Sequence, residues 1–263
     1  MKKHLVPLFC LIMLMPVTAS ARNSHKSHKG HKTHKTNKTH KASRVRHLQP
    51  SVSFNDVVSP DNVWGIDISH YQDINWVELS SQKPNFVFIK ASEGLTFQDV
   101  KYMENYSEAK KLGILVGSYH FFSYSSSGKE QATNFLSVAQ HKTGDLLPVL
   151  DAEFRKKMPE KSLVTTELTN FVNTIYEKLG HYPIIYCNYA YYKLYLEEHM
   201  PPKCKLWIVD YKEKPNCEWA FWQKTDRFKL AGIRGHVDLN IFNGTILSLQ
   251  NYLYKDLTSK SVL

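Results

Sequence analysis

Short apolar segments of strand length recur along the chain from residue 63 onward. The eight segments are 63–69, 86–90, 114–122, 147–154, 183–188, 205–211, 218–224 and 236–242. Helical periodicity fills most of the early intervals, whereas bare loops separate several of the late segments. Apolar strands that alternate with helices are typical of a parallel sheet, and eight of them indicate a closed barrel. We therefore predict an α/β fold, an irregular TIM-like β/α barrel of eight strands with fewer than eight outer helices, over residues 63–263.

Polar and aromatic side chains gather where these predicted strands end. They are Asp67, Lys90 to Glu93, Tyr119, His120, Asp151, Glu153, Tyr186, Asn188, Asp210, Tyr211, Trp222, Gln223 and Asp238. Active sites of β/α barrels lie at the carboxyl ends of the strands. The coincidence at nearly every strand is hard to explain if the strands are independent buried elements. It therefore predicts an active site at this end of the barrel.

The fourth segment ends in two carboxylates, Asp151 and Glu153, spaced two residues apart. On a strand, this spacing puts both side chains on the same face. Two carboxylates so close do not both ionise cheaply, so the pKa of one should rise. A protonated carboxylic acid beside a carboxylate is the pair that glycosidic bond cleavage requires. The alternative is that both acids lie in a solvated loop, and the pattern at the other strand ends weighs against it.

The first 21 residues have the pattern of a secretory signal peptide. Lys2 and Lys3 precede an apolar run, residues 5–17, that is too short to span a bilayer. Ala19-Ser20-Ala21 fits a cleavage site, so we predict cleavage near Ala21 and a secreted or periplasmic protein. An uncleaved membrane anchor and lipid attachment at Cys10 are the alternatives.

Residues 22–47 carry nine of the Lys and Arg residues and no acid, whereas the chain from Leu48 onward is close to neutral. From residue 24 to residue 41, Ser, His, Lys and Thr repeat with a period of three and no apolar residue, so we predict that residues 22–47 form a disordered basic tail. A linker, residues 48–62, follows it. The tail is predicted to bind anionic cell-wall polymers or to act as a solvated spacer, with metal capture by its His residues as a further alternative. We expect no nucleic-acid binding, since the exported tail has no interleaved aromatic residues.

Three cysteines follow the predicted cleavage site. Cys204 and Cys217 each precede a predicted strand, at the amino ends of neighbouring parallel strands, whereas Cys187 ends its strand at the opposite end. The sequence therefore predicts a Cys204–Cys217 disulfide in an oxidising compartment. Three free buried thiols are the alternative.

Several motifs resemble family 25 glycoside hydrolases, which are lysozymes or N-acetylmuramidases. They begin with Gly65-Ile66-Asp67-Ile68-Ser69-His70-Tyr71-Gln72, Ile74-Asn75-Trp76, Phe86-Val87-Phe88-Ile89-Lys90-Ala91-Ser92-Glu93-Gly94 and Gly117-Ser118-Tyr119-His120-Phe121-Phe122. They continue with Pro148-Val149-Leu150-Asp151-Ala152-Glu153, Pro183-Ile184-Ile185-Tyr186, Leu206-Trp207-Ile208, Phe221-Trp222-Gln223 and Val237-Asp238-Leu239-Asn240. The resemblance covers residues 63–250, in the family's order. It implies the irregular barrel and hydrolysis of the β-1,4 bond between N-acetylmuramic acid and N-acetylglucosamine in peptidoglycan.

The resemblance also implies a set of active-site carboxylates, which fall on Asp67, Asp151, Glu153 and Asp238, with Glu153 as the general acid. We expect Asp151 to receive the N–H of the substrate's acetamido group, whose oxygen attacks with retention. In the alternative, Asp67 or Asp238 activates water directly, with inversion.

Five further residues are predicted to bind substrate. Aromatic faces stack on sugar rings, so we assign this role to Tyr119, Tyr186 and Trp222, although barrel packing is the alternative for each. Lys90 and Gln223 complete the set, and a salt bridge at the rim of the core is the alternative role for Lys90.

No cofactor is expected. We also predict no metal site, because His70 and His120 lack a third ligand at a useful spacing. The sequence thus predicts a monomeric, secreted muramidase that acts on peptidoglycan glycan strands. A non-catalytic wall-binding protein on the same scaffold and a chitin hydrolase are the alternative functions.

Overall fold

The computed structural model describes residues 51–54 and 61–257. The chain divides into two units, Met1–Arg46 and His47–Leu263, and the described residues all belong to the second. The predicted signal peptide, the basic tail and most of the linker lie outside the described residues. Among the residues that are described, no helix is both long enough and apolar enough to cross a membrane.

Within the described residues, eight strands close into a barrel, and a ninth short strand lies beside it. In chain order the strands are β1 (Trp64–Ile68), β2 (Phe86–Glu93), β3 (Phe97–Gln98), β4 (Leu115–Phe121), β5 (Val149–Asp151), β6 (Ile184–Asn188), β7 (Lys205–Val209), β8 (Phe221–Phe228) and β9 (Val237–Phe242). The order around the sheet is β1-β9-β8-β7-β6-β5-β4-β2, and pairing of β1 with β2 closes the barrel. The two-residue β3 pairs only with β2. The predicted eight-stranded barrel is therefore confirmed.

One strand corrects the expectation of a parallel sheet. β9 runs antiparallel to both of its neighbours, β1 and β8, whereas the other barrel pairs are parallel. Only residues 229–236 connect β8 to β9. This connection is too short for the dozen or more residues that a parallel crossover requires. The amino end of β9 therefore lies at the same end of the barrel as the carboxyl ends of the other strands.

The described residues contain six α-helices, fewer than the eight of a regular β/α barrel. They are α1 (Trp76–Leu79), α2 (Tyr102–Lys111), α3 (Gly128–Val138), α4 (Lys161–Leu179), α5 (Tyr189–Tyr191) and α6 (Ile246–Leu249). Ser127 caps α3 in a capping box with Glu130. Gly180 ends α4 in the left-handed conformation at φ 68°, which glycine adopts without strain. The late strands have only short helices or loops between them, as the sequence predicts.

Alternation along the strands separates two apolar layers. On β2, Phe86 and Phe88 point into the barrel, whereas Val87 and Ile89 join the layer between strands and helices. The Phe88 ring stacks on Trp207 of β7 at 4.6 Å between ring centroids, a contact that crosses the barrel interior. Gly117 makes room for this packing, since a Cβ there would lie 2.4 Å from the Phe88 ring. Large aromatic side chains thus fill the interior below the mouth.

The predicted disulfide is not formed, because Cys187, Cys204 and Cys217 are free thiols. Burial raises the pKa of Cys204 to about 12. Burial, followed by the nearby Cys217, raises the pKa of Cys187. The backbone carbonyl of Asn216 accepts from the hydroxyl of Tyr189 at 3.5 Å, so the loop that carries Cys217, four residues before β8 begins, contacts the end of β6 that carries Cys187. The prediction failed because it treated a loop residue as an extension of the strand.

Candidate active site

The barrel mouth holds a cavity of about 300 Å³. Eight of the nine residues that the sequence analysis selected line it: Asp67, Asp151, Glu153, Asp238, Tyr119, Tyr186, Lys90 and Gln223. Most of them occupy inward-facing positions at the carboxyl ends of parallel strands. Asp238 reaches the same place from the start of β9, directly opposite Asp67 on β1. The antiparallel strand therefore completes the carboxyl cluster from its amino end.

Trp222 is the exception, because it does not line this cavity. It is adjacent to Gln223 on β8, so the two side chains point to opposite faces of the sheet. Gln223 points inward, and Trp222 packs in the outer layer near Trp219, at 6.0 Å between ring centroids. Its indole N–H donates to the backbone carbonyl of Asp210 at 2.8 Å. The structure thus gives Trp222 a packing role in place of the predicted sugar contact.

Asp67 is buried and accepts two amide hydrogen bonds on one oxygen. Its Oδ2 accepts from Nε2 of Gln223 at 3.0 Å and from Nδ2 of Asn240 at 2.7 Å. Burial raises the pKa of Asp67, while the bonds from Asn240, Gln223 and Asp238 oppose that rise. These donors stabilise the ionised form of Asp67.

The orientation of both amides is fixed by aromatic side chains. Oδ1 of Asn240 accepts from the indole N–H of Trp207 at 2.8 Å, and this indole can only donate. Oε1 of Gln223 accepts from the hydroxyls of Tyr186 and Tyr211, each at 2.9 Å. The NH₂ group of each amide must therefore face Asp67.

Asp238 completes a carboxyl pair with Asp67. Burial raises the pKa of Asp238 to about 9, followed by the charge of Asp67 and the hydrogen bond to it. Because Asp67 already accepts two N–H donors, the proton that the pair shares resides on Asp238 at neutral pH. The pair then carries one negative charge, on Asp67.

Asp151 and Glu153 line the same cavity, as their spacing predicts. Burial raises the pKa of Asp151 well above its ordinary value, and the charges of Glu153 and Asp67 add to the rise. Its Oδ1 is buried and has no hydrogen-bond partner. Burial also raises the pKa of Glu153, and the positive charge of Arg155 opposes that rise most strongly. Both groups are therefore more easily protonated than ordinary carboxyls.

Two cations lie on the Glu153 side of the mouth. The ammonium of Lys90 is 2.6 Å from Glu93, which confirms the rim salt bridge, and Lys90 also lines the cavity. The guanidinium of Arg155 is 3.5 Å from the carboxylate of Glu93 and 4.1 Å from the centre of the Phe121 ring. The charges of Lys90 and Arg155 lower the pKa values of Asp151 and Glu153, against the effect of burial.

Sequence reasoning missed several of these residues, and two of them follow one rule. Asn240 on β9 and Phe121 on β4 each lie two residues after a selected residue on the same strand, Asp238 and Tyr119. Side chains two apart on a strand share a face, so extending each selection by two positions finds them. Tyr71, which also lines the cavity, lies in a loop where this period gives no signal.

The described part of the chain contains no group of three or more His, Cys, Asp or Glu residues that could hold a metal ion. His120 is buried, with Nδ1 2.8 Å from the Ser92 hydroxyl and Nε2 3.1 Å from Oε1 of Gln131. Burial lowers its pKa to about 4, so it is neutral at physiological pH. It supports the loops at the mouth and takes no part in the cavity.

Comparisons with known proteins agree with this geometry. The model of glycosyl hydrolases family 25 matches residues 66–233. YegX of Escherichia coli (strain K12) is 34% identical over 201 residues, which cover 73% of each chain. Lysozyme M1 of Streptomyces globisporus is 31% identical over 210 residues, covering 72% of this chain and 71% of the relative.

A solved structure is similar over the same region. The family 25 glycosyl hydrolase from Bacillus anthracis has a TM-score of 0.69 and 34% sequence identity, and the match covers 74% of this chain and 95% of that one. The family match spans more than half of the chain, and its bounds enclose Asp67, Asp151 and Glu153. The chain therefore belongs to glycosyl hydrolases family 25 and is a glycoside hydrolase.

Proposed function

We propose that the protein is a secreted muramidase, which hydrolyses the β-1,4 bond between N-acetylmuramic acid and N-acetylglucosamine in peptidoglycan. One observation carries the proposal. Four carboxyl groups with raised pKa values line one cavity at the mouth of a family 25 barrel. Relatives with the names lysozyme and N,O-diacetylmuramidase support peptidoglycan as the substrate.

Glu153 is the proposed general acid. It follows the end of β5, faces the cavity and is only partly buried, so it can reach a glycosidic oxygen. Its raised pKa favours the protonated form that an acid catalyst needs. Glu153 gives its proton to the leaving oxygen as the bond from that oxygen to the anomeric carbon breaks.

Asp151 is the proposed partner of the substrate's acetamido group. Its unpartnered Oδ1 is a buried acceptor, which an N–H from the substrate would satisfy. With that N–H held, the acetamido oxygen attacks the anomeric carbon, and Asp151 takes the N–H proton. Water then attacks the anomeric carbon and gives one proton to Glu153, while Asp151 returns its proton to the acetamido nitrogen as the bond from the anomeric carbon to the acetamido oxygen breaks, so the anomeric configuration is retained.

The hydrogen-bond arrangement supports this route over direct attack by water. Asp238 holds the proton of its pair, and a protonated carboxyl does not act as a base. Oδ2 of Asp67 is already occupied by two amide donors, from Gln223 and Asn240. Neither carboxyl is therefore well placed to activate a nucleophilic water.

The test uses residues 22–263, the Glu153→Gln variant and a matched control, Glu177→Gln, whose side chain is exposed on α4. Each protein is incubated with purified peptidoglycan, and the products are reduced with borohydride and identified by mass spectrometry. Muramitol ends are expected from the wild type and the control, and none from Glu153→Gln. Glucosaminitol ends from the wild type would show that the other glycosidic bond is cut and would refute the proposed specificity.

The proposal extends to export, to a monomeric state and to the basic tail. Residues 1–21 would direct secretion, and residues 22–47 would hold the enzyme on anionic wall polymers through charge. Wall fragments should therefore sediment residues 22–263 more efficiently than residues 48–263, and added salt should remove the difference. Equal sedimentation of both chains at low salt would leave the tail as a spacer.

A further inference from the structure

An aromatic side chain stands at the edge of the catalytic cavity. Tyr71 is 80% exposed and yet lines this cavity. Its ring packs against His70, with 4.0 Å between ring centroids, and His70 lies 5.7 Å from Phe97 in turn. We name these three side chains the rim platform.

The platform rests on a buried carboxylate. The side chain of Asp99 has no exposed surface, and its Oδ2 accepts from Nδ1 of His70 at 2.7 Å and from the His70 backbone N–H at 3.0 Å. Its Oδ1 accepts from the backbone N–H of Lys101 at 2.9 Å. The ammonium of Lys101 then donates to the backbone carbonyl of Gln72 at 3.0 Å. The turn that carries Tyr71 is therefore tied down on both sides of the ring.

A held aromatic ring with a free face suits a flat apolar ligand. Tyr and Trp supply a large contact area with few rotatable bonds, so little conformational entropy is lost when a ligand binds. Because the hydrogen bond to Asp99 already fixes the His70 ring, the conformational entropy that the platform loses when a ligand binds is reduced further. A pyranose ring presents such a face in its C–H groups, and its hydroxyls remain available to polar groups.

The exposure of Tyr71 places it at the outer edge of the cavity, within reach of a glycan chain that is bound there. Asp67 lies four residues earlier on β1, so their Cα atoms are at most ~14 Å apart, about the span of four extended residues. Asp67 is 9% exposed within the cavity, whereas Tyr71 stands at its edge. A glycan chain that leaves the cavity on the β1 side passes across the platform.

We propose that the rim platform is a binding subsite for a further sugar of the glycan chain, adjacent to the sugars that flank the cleaved bond. This inference rests on the proposed function, because it takes the ligand to be a β-1,4-linked glycan. The chemical class of the ligand is an N-acetylated hexosamine ring that stacks on Tyr71.

The first experiment measures kcat and KM on long soluble glycan strands and on the shortest oligosaccharide that is cleaved. Tyr71→Ala should raise KM for long strands about tenfold and leave kcat unchanged, with little effect on the short substrate. Tyr71→Phe keeps the ring and should behave as the wild type. Val77→Ala is the matched control, since it removes an apolar side chain that is 84% exposed on α1. An equal change on both substrates, or no change on either, would overturn the subsite.

A binding measurement separates this inference from the proposed reaction. Calorimetry compares Glu153→Gln with Glu153→Gln/Tyr71→Ala, using uncleaved glycan strands as the ligand. The second protein should bind about tenfold more weakly. If both bind equally, the subsite is wrong, whatever bond the enzyme cuts. If the wild type releases no muramitol ends while the binding difference persists, the proposed specificity fails and the subsite stands.

Discussion

Replacing Asp238 by Asn tests where the shared proton of the carboxyl pair resides. At pH 7 the folded protein keeps Asp238 protonated, because burial and the nearby Asp67 raise its pKa from 3.8 to about 9. The unfolded chain ionises the same group above its ordinary value of 3.8. Folding at pH 7 therefore includes protonation of one carboxyl across about three pH units, which costs about 4 kcal/mol.

The sign of the effect follows from proton binding. Between pH 4 and pH 9 the folded state holds a proton on Asp238 that the unfolded state has lost, so wild-type stability falls as the pH rises. The amide side chain of the Asp238→Asn variant has the same shape and donates to Asp67 without taking up a proton. Since N–H is a weaker donor than the acid O–H, we expect this variant to be more stable than wild type by about 2 to 4 kcal/mol at pH 7.

The assay is urea unfolding of both proteins at pH 4, 5.5, 7 and 8, with stability extrapolated to water. The stability difference should be zero or slightly negative at pH 4, where only the weaker N–H donor acts, and should grow in favour of Asp238→Asn as the pH rises. Asp73→Asn, at an exposed position in the loop after β1, is the matched control and should show no such growth. A difference that is independent of pH, or a variant that loses stability as the pH rises, would show that Asp238 is ionised in the fold.

Three further predictions concern neighbouring groups. Arg155→Gln removes the charge that most opposes the raised pKa of Glu153, so the alkaline limb of the pH profile of kcat/KM on soluble glycan should move up by about one pH unit. The control Lys157→Gln, at an exposed position, should leave this limb in place. An unmoved or lowered limb in Arg155→Gln would contradict the assignment of that limb to Glu153. Trp207→Phe leaves Oδ1 of Asn240 without its donor, and urea unfolding should show a loss of about 2 kcal/mol together with a lower kcat; an unchanged kcat would mean that this amide does not orient the site. Cys187, Cys204 and Cys217 should all react with a thiol reagent in denaturant without prior reduction, because all three are free thiols. If only one thiol reacted, the other two cysteines would be joined in a disulfide.

The barrel and the location of the site could be predicted because both follow from local patterns. Apolar runs mark the strands, and a polar residue that follows such a run lies at a strand end whatever the remainder of the fold does. Asp238 shows the limit of this reasoning. The sequence places Asp238 among the residues at the carboxyl ends of the predicted parallel strands. In the structure it lies at the amino end of β9, which reaches the same mouth because β9 is antiparallel to its neighbours. The length of the connection limits the direction of the next strand. The eight residues between β8 and β9 are too few for a parallel crossover, so β9 must be antiparallel to β8.

Side-chain partners depend on contacts between distant strands, which the sequence does not encode locally. Gln223 and Trp222 are adjacent, so alternation allows only one of them to face the cavity, and the choice of both was internally inconsistent. The role of Gln223 emerges only when Asp67, 156 residues away in the chain, is placed against it. Asn240 has the same dependence over 173 residues.

The distribution of hydrogen bonds divides the four carboxyls into two functional pairs. Asp67 and Asp238 are satisfied by the protein, through two amides and one shared proton. Asp151 retains a buried oxygen that no protein group satisfies, which leaves it available to a donor from a ligand. Besides burial, the negative charge on Asp67 raises the pKa of Glu153, which favours the protonated form of the general acid, and the pKa of Asp151, which makes its carboxylate a stronger base for the acetamido N–H. The satisfied pair thus acts as a fixed electrostatic support, and the unsatisfied pair is the part of the site that is left to react.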